Sequence, residues 1–196
     1  KVDSVDLRKN FSRIKNQGQQ GSCLAFTLTS VFEYMMKQNK KDDCDLSEAF
    51  LYYNARNLDS DGSVNEDNGS RFVPSLESLR TYGIALEKTW PYNDAIYDQK
   101  PSQEAYDDAA TRKLVKALNV ERNVDAIKSA LVDGFPVACS FTLFESFSTA
   151  GAYIPMPTDE EIASLDDKSE DAEWRHSRHA MVIVGFSDKL QRFLVR

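Results

Sequence analysis

The sequence predicts an α+β fold in which a helical first half precedes a strand-rich second half. Residues Leu24–Gln38 are apolar on most sides and include neither proline nor glycine, which indicates a buried helix. Near the end of the chain, His179–Phe186 and Arg192–Arg196 have the pattern of two strands joined by a polar turn. The 196 residues, 41% of them hydrophobic, are enough for one large domain or two small lobes.

Two more helices are predicted in the first half of the chain. One lies near Ser47–Arg56, with Ser47 and Glu48 at its start. The other is Ser75–Tyr82, and it is expected to end at Gly83, because glycine adopts a left-handed closing conformation at little cost.

The second half of the chain has its own start and stop signals. Asn123 is expected to cap a short helix that ends at Gly134, and Pro136 is expected to open the strand Val137–Phe141. The expected order is therefore a helix followed by strands.

Two polar stretches interrupt these elements. Residues 59–71 are polar and rich in glycine, which predicts a loop. Residues 157–175 carry eight acidic and two basic side chains and are expected to form an exposed insertion. This insertion is either a solvated loop or, because it leads into His179, an attractor of basic substrates.

Composition excludes several classes of function. A net charge of −7 argues against nucleic acid as a partner, because phosphates would be repelled. No apolar run reaches the roughly 18 residues that cross a bilayer, so no membrane partner is expected. The first residues lack the apolar stretch of a secretion signal. Because the first residue is Lys1 rather than Met, either a leader has been removed or the chain has been trimmed.

The three cysteines, Cys23, Cys44 and Cys139, leave one over after any pairing. Cys44 and Cys139 could pair if the fold brought them together, but two buried thiols are the preferred interpretation. No Cys/His cluster suggests zinc, and no cofactor is expected.

The segment Gln17–Phe26 carries the strongest chemical signal in the chain. It places Cys23 at the first turn of the predicted buried helix, where the helix dipole and unpaired N–H groups favour a thiolate. Gln17 lies six residues earlier, so its amide N–H and the backbone N–H of Cys23 are candidates for an oxyanion hole. A cysteine is otherwise most often a small buried hydrophobe, but the residues around Cys23 match a known pattern.

At these residues the chain resembles the papain-like cysteine peptidases, in which Gln, Gly, Gly-Ser-Cys, an aromatic residue, Ala and Phe follow in this order. The resemblance implies that Cys23 is the nucleophile and that Gln17 supplies the oxyanion donor. Two positions depart from the pattern. Leu24 replaces the usual tryptophan, and Gln20 replaces a cysteine that is often a disulfide partner. Both departures are typical of bacterial or otherwise divergent members.

The resemblance continues along the chain in order. It includes Val5–Arg8, which looks like the start of a mature enzyme, then Leu46–Glu48, Thr89–Tyr92, the glycine, proline and valine at 134, 136 and 137, and Gly151–Tyr153. Asn68, Gly69 and Ser70 lie where the family has Asn-Gly-Gly, whose backbone pairs with extended substrate. The resemblance therefore implies that these three residues bind substrate.

A nucleophilic cysteine needs a base nearby, and the chain has two histidines, His176 and His179. His179 starts a stretch that resembles the strand bearing the family's catalytic imidazole, so it is the predicted base. His176 has no counterpart and is expected at the surface or in a loop. A metal held by His176, His179 and the neighbouring acids is a weaker alternative, because the two side chains would not converge well.

The resemblance implies a papain-like two-lobe fold: a helical left lobe, an antiparallel β-barrel-like right lobe, and an active-site cleft between them. Residues 1–115 are expected to form the helical lobe with the nucleophile, and residues 116–196 the β-rich lobe with the histidine. The family's third catalytic residue, an Asn that orients the imidazole, is expected one residue after Arg196. The natural protein is expected to continue, and a protein ending there would have severely reduced activity and an exposed sheet edge.

The family's specificity pocket is lined at positions matching Phe72, Ser140 and Ala180, which predicts a hydrophobic pocket. Arg178, next to the catalytic histidine, is a further candidate for contact with substrate. The negative charge of the acidic insertion at 157–175 and the positive charge of Arg178 have opposite electrostatic effects on a substrate.

The predicted function is that of a cysteine endopeptidase that acts through a Cys–His pair and a thioester acyl-enzyme. A thiol acyltransferase or amidase and a catalytically impaired papain-like binding module are the alternatives. Expected partners are protein or peptide substrates and an inhibitory propeptide, and the protein is expected to be a monomer. A secreted or extracytoplasmic location is favoured.

Overall fold

A computed structural model describes residues 2–40, 43–60, 62–148, 150–166 and 178–196. The chain divides into two compact units. The larger comprises Lys1–Ala138 with Met181–Arg196, and the smaller comprises Cys139–Ala180. The expected division into lobes at residue 115 stays a prediction.

Three helices dominate the larger unit: α1 (Cys23–Lys40), α2 (Glu48–Leu58) and α3 (Phe72–Thr81). All three were predicted, although α3 starts three residues earlier than expected. The Ser47 hydroxyl caps α2 by accepting a hydrogen bond from the Phe50 N–H at 3.1 Å. Gly83 follows α3 with a φ of 84°, in agreement with the expected left-handed closing residue.

Two shorter helices follow in the same unit, α4 (Gln103–Ala109) and α5 (Val124–Val132). The predicted cap of α5 is confirmed, since the Asn123 side chain accepts the Ala126 N–H at 2.7 Å. Helix α4 was not predicted, because its seven residues carry too few apolar side chains for a clear period.

The strands are β1 (Ser4–Asp6), β2 (Val137–Thr142), β3 (Arg178–Ser187) and β4 (Arg192–Val195). They form one sheet of order β1-β3-β2, with β4 also paired to β3. Both β1 and β4 run antiparallel to β3, and Phe186 pairs with Val5 on one side and Phe193 on the other. Strand β1 was not predicted, because three residues are too few to show alternation.

Two apolar clusters fix the helices of the larger unit. Phe11 and Tyr34 stack with ring centroids 4.6 Å apart and pack with Val182 and Val184, so α1 is held against β3. In the second cluster the fully buried Phe50 of α2 packs with three alanines, Ala85, Ala105 and Ala109. The position of α1 determines where the thiol at its first residue lies.

The smaller unit contains the helices α6 (Glu145–Ser148) and α7 (Asp159–Ala163), and a 3-10 turn follows at Ser164–Asp166. The Glu161 carboxylate accepts hydrogen bonds from the Ser146 N–H and hydroxyl at 3.0 and 3.1 Å. The expected loop at 157–175 is therefore wrong for its first part, because Thr158 and Glu161 form a capping box that starts a helix. Residues 167–175 of that stretch, and His176, lie outside the described residues.

No helix within the described ranges has the length and apolar character needed to span a bilayer.

Candidate active site

Cys23 is the first residue of α1 and carries a half-buried thiol. The next two side chains, Leu24 and Ala25, are 4% and 0% exposed, so the helix start is anchored in the core. The backbone N–H of Phe26 donates to the Ser22 carbonyl at 3.1 Å, which closes the first turn. The thiol is thus placed at the N-terminal end of an 18-residue helix.

The loop before Cys23 is ordered by its own hydrogen bonds. The Gln17 side-chain amide donates to the Gln20 carbonyl at 2.9 Å, and the Ser22 N–H donates to the same carbonyl at 2.8 Å. Gln17 is half-buried, whereas Gln20 is 2% exposed. One amide hydrogen of Gln17 therefore serves the loop, and its nitrogen carries a second hydrogen that a substrate oxygen can accept.

Tyr92 braces this loop from the following part of the larger unit. Its hydroxyl donates to the Gln17 carbonyl at 2.8 Å and lies 2.7 Å from the Ser22 hydroxyl oxygen. Because the single Tyr92 proton is given to Gln17, the Ser22 hydroxyl acts as the donor in the second bond. Burial raises the pKa of Tyr92 to about 12, so the hydroxyl keeps its proton and remains a donor.

The substrate-binding candidates Asn68, Gly69 and Ser70 lie beside this loop. The Gly21 N–H donates to the Asp67 carboxylate, at 3.0 and 3.1 Å from its two oxygens. Asn68 is exposed and Gly69 is half-buried. The Ser70 hydroxyl oxygen is buried and has no hydrogen-bond partner among the described residues. Phe72, the candidate pocket residue, is half-buried at the first position of α3.

The other candidates belong to the smaller unit. His179 is the second residue of β3 and is half-buried, between the exposed Arg178 and Ala180, which is 7% exposed. Burial lowers the pKa of the His179 imidazole below its ordinary value, because desolvation penalises the charged ring. Ser140 is exposed on β2.

The structure brings Gln17, Cys23 and the segment Asn68–Ser70 into one compact unit. The pairing of Cys23 with His179, and the pocket of Phe72, Ser140 and Ala180, each require residues of both units and stay predictions. Cys44 is a half-buried thiol whose sulfur lies 3.7 Å from the Met36 sulfur. Within the described ranges no group of three or more His, Cys, Asp or Glu side chains is placed to hold a metal ion.

Sequence reasoning missed three residues that shape this site, Asp67, Tyr52 and Tyr92. Asp67 lies in a polar loop, where an acidic side chain indicates no specific contact. Tyr52 lies within the predicted helix Ser47–Arg56, where a tyrosine in an apolar run indicates packing rather than a hydrogen bond to a distant loop. Tyr92 fell within a matched segment, but nothing in the sequence indicated that its hydroxyl bonds to the loop of Gln17.

Known proteins resemble this chain along its whole length. The sequence profile of the family described as "Papain family cysteine protease" matches residues 1–192. An uncharacterized peptidase C1-like protein of Acanthamoeba polyphaga mimivirus is 30% identical over 201 residues, which cover 98% of this chain. This chain spans 61% of the length of that relative.

Solved structures agree with the family match. Xylellain, a cysteine protease from Xylella fastidiosa, has a TM-score of 0.86 and 27% identity, over 100% of this chain and 74% of that one. The digestive procathepsin L 3 of Tenebrio molitor larval midgut has a TM-score of 0.71 and 20% identity, over 95% of this chain and 55% of that one. The second likeness shows the fold alone, and together they confirm the predicted papain-like α+β fold.

Proposed function

This chain belongs to the papain family of cysteine proteases, and on that premise we propose that it cleaves peptide bonds as a cysteine endopeptidase. The observation that carries the proposal is the Cys23 thiol at the first residue of α1, behind a loop that orders the Gln17 amide. Cys23 is the nucleophile of the proposed reaction, His179 is its base, and Gln17 is the oxyanion donor.

The start of α1 suits Cys23 for nucleophilic attack. The N-terminus of a helix carries partial positive charge and N–H groups without intrahelical partners, and both stabilise negative charge on sulfur. Helix α1 has no acidic residue in its first turn to oppose this effect. A cysteine thiolate is a far better nucleophile than the thiol.

His179 supplies the proton transfers of the proposal. Since burial lowers the pKa of this imidazole, an imidazolium at this position needs a negatively charged neighbour to stabilise it. A Cys23 thiolate within hydrogen-bond reach would meet that need, and the resting enzyme would hold a thiolate–imidazolium pair.

The proposed reaction has two halves. The thiolate adds to the substrate carbonyl carbon, and the oxyanion accepts hydrogen bonds from the Gln17 amide and the Cys23 N–H. His179 then donates its proton to the leaving nitrogen as the C–N bond breaks, which releases an amine and leaves a thioester. In the second half His179 removes a proton from water, the hydroxide adds to the thioester, and the carboxylic acid leaves as the thiolate is restored.

Substrate binding is proposed along two elements. The backbone of Asn68–Ser70 pairs with the extended peptide, and Phe72, Ser140 and Ala180 line an apolar pocket for the side chain before the scissile bond. Arg178 is exposed beside His179, and it is proposed to contact the substrate. The acidic stretch at 157–175 is proposed to attract basic substrates.

The test combines turnover with labelling of the thiol. The natural protein at its full length should release aminomethylcoumarin from peptidyl amides, and Cys23→Ala should abolish this release while Cys44→Ala retains it. Iodoacetamide near pH 6 should alkylate Cys23 much faster than Cys44 or Cys139, and His179→Ala should remove that advantage. His176→Ala is the matched control and should keep it.

Other outcomes separate the alternatives. A fast-reacting Cys23 combined with amide transfer to an added amine, and no hydrolysis, would identify a thiol acyltransferase. Peptide binding without turnover, with all three cysteines alkylated at one rate, would identify a binding module. Either result would overturn the endopeptidase proposal.

A further inference from the structure

A single carboxylate joins the loop of Cys23 to the candidate substrate-binding segment. Asp67 directly precedes Asn68, and both of its oxygens accept the N–H of Gly21, two residues before the nucleophile. This N–H belongs to a residue 46 positions away in sequence. A charged acceptor makes such a bond stronger than one between neutral groups.

The hydroxyl of Tyr52, a residue of α2, bonds to both Asp67 and Gly69. It donates to the Asp67 Oδ1 at 2.5 Å and accepts the Gly69 N–H at 3.2 Å. The Tyr52 side chain is 1% exposed, so this hydroxyl has a fixed position in the core. Burial, together with the bond to Asp67, raises the pKa of Tyr52 above its ordinary value, which keeps the hydroxyl protonated and able to donate.

The loop that carries Asp67 is held to α2 by a second group. The Arg56 guanidinium lies 4.0 Å from the centroid of the Tyr52 ring and donates to the carbonyls of Val64 and Glu66 at 3.1 and 2.7 Å. Arg56 is 2% exposed, so these bonds are made away from solvent. The buried Arg56 therefore holds the backbone that precedes Asn68 against the core of the larger unit.

The contact at Gly21 leaves little space. A Cβ atom built on Gly21 would lie 3.2 Å from both the Asp67 Oδ1 and the Gly69 nitrogen. Only glycine lets the two loops approach this closely without a shift of one of them. The two backbones are thus packed directly against each other at the carboxylate.

We propose that Asp67 and Tyr52 are positioning residues of the peptidase: they hold the segment Asn68–Ser70 against the loop that ends at Cys23, so that a peptide bound along the segment presents its carbonyl to the thiol. This inference rests on the proposed function. Neither residue touches the reacting atoms, and their effect should therefore depend on how much of the substrate lies along the segment. Displacing a bound group by about 1 Å can reduce a rate by about 10²-fold.

The experiment compares an extended peptidyl aminomethylcoumarin with iodoacetamide, which needs no substrate-binding segment. Asp67→Ala should lower kcat/KM for the peptide by about 10- to 100-fold, with a raised KM, while the alkylation rate of Cys23 changes by less than about threefold. Asp67→Asn should restore most of the activity, because its amide oxygen can still accept from Gly21 and Tyr52.

Two further variants keep the test decisive. Tyr52→Phe removes only the hydroxyl and retains the ring that contacts Arg56. It should lower kcat/KM about tenfold. This variant tests the inference even if Asp67→Ala does not fold. Asp98→Ala is the matched control. Asp98 is exposed and acts on Arg56 electrostatically, as Asp67 does, so its loss removes the same charge from this region. It should leave kcat/KM unchanged.

Wild-type kcat/KM in both Asp67→Ala and Tyr52→Phe would overturn the inference. So would an equal fall in turnover and alkylation, because that would place the effect on the thiol rather than on the substrate. If the wild-type protein is alkylated but hydrolyses no peptide, the proposed function fails and this inference falls with it. If the wild-type protein hydrolyses peptides no faster than Asp67→Ala and Tyr52→Phe do, this inference fails while the proposed function stands.

Discussion

The Tyr92 hydroxyl donates a hydrogen bond of 2.8 Å to the backbone carbonyl of Gln17, 75 positions earlier in the chain. The same hydroxyl accepts from Ser22, directly before the nucleophile, so one side chain holds both ends of the loop. The Tyr92 ring also packs edge-on against Phe26 of α1, with centroids 4.9 Å apart. The oxyanion donor proposed for Gln17 therefore depends on a brace outside the loop itself.

Tyr92→Phe should lower kcat about tenfold, because the loop that presents the Gln17 amide loses its brace while the ring contact with Phe26 remains. The free energy of unfolding should fall by about 1 kcal/mol, the usual contribution of one such hydrogen bond. Steady-state kinetics and urea denaturation measure the two effects. Tyr106→Phe is the control: its hydroxyl bonds to Asn54 at 2.6 Å, and its loss should reduce stability alone. Equal kcat values for the two variants would contradict the bracing role.

Gln17→Ala should reduce kcat by about 10²- to 10³-fold with little change in KM, because the amide is proposed to act on the oxyanion of the transition state. The measurement is full steady-state kinetics on a peptidyl amide. Gln19→Ala is the control, since Gln19 is an exposed residue of the same loop and should retain wild-type kcat. A loss confined to KM would show that Gln17 binds the ground state instead.

Lys15→Met should destabilise the fold by about 3–5 kcal/mol, because it leaves buried carboxylates without their cation. The Lys15 ammonium lies 3.1 Å from Glu33, 2.6 Å from Asp45 and 2.7 Å from Glu48. Burial alone would lower the pKa of Lys15, but attraction to Glu48 and Glu33 outweighs burial and raises the pKa above its ordinary value.

Urea denaturation at pH 7 measures the loss. Lys37→Met provides the comparison, since Lys37 is more exposed and pairs with Asp43 at the surface, and it should cost less than about 1 kcal/mol. Similar midpoints for both variants would show that the buried network contributes no more than a surface pair.

Glu48→Gln should flatten the pH dependence of stability between pH 4.5 and 7. Burial raises the pKa of Glu48 from 4.5 to about 7, although the Lys15 cation acts in the opposite direction. In this window the unfolded chain has released the proton that the native carboxyl keeps. Stability therefore falls as pH rises, and the contribution of Glu48 reaches at most roughly 3 kcal/mol.

The measurement is the difference between wild type and Glu48→Gln in urea denaturation at several pH values. That difference should shift in favour of the variant as pH rises from 4.5 to 7. Glu77→Gln, an exposed site on α3, should show no such trend. A constant difference across the window would contradict the raised pKa.

Local patterns predicted much of the fold. The run after Cys23 specifies α1 through its apolar composition, and Ser47 and Asn123 start their helices by capping backbone N–H groups three residues on. These interactions join near neighbours, so they can be recognised in a short window. Strand β1 and helix α4 escaped prediction because each is too short to show a period and is stabilised by distant residues.

The residues of the candidate site also divide into those that local sequence patterns identified and those that they did not. Gln17 and Cys23 were identifiable because their chemistry depends on a helix start and a six-residue spacing within one segment. Asp67 and Tyr52 were not, because the carboxylate acquires its role only when the fold brings the Gly21 N–H and the Tyr52 hydroxyl of α2 to it. In an extended chain the same aspartate would be one of many solvated acids in a polar loop.

The sequence alone determined that this chain has a buried helix with a cysteine at its start, a strand with a histidine near its start, and the family to which these patterns belong. Only the tertiary structure decided which polar groups hold the nucleophile loop in place, namely the Tyr92 hydroxyl and the Asp67 carboxylate. The physical reason is range. Caps and hydrophobic periods act over a few residues, whereas these hydrogen bonds span 46 and 75 positions and exist only where the tertiary fold brings the two segments together.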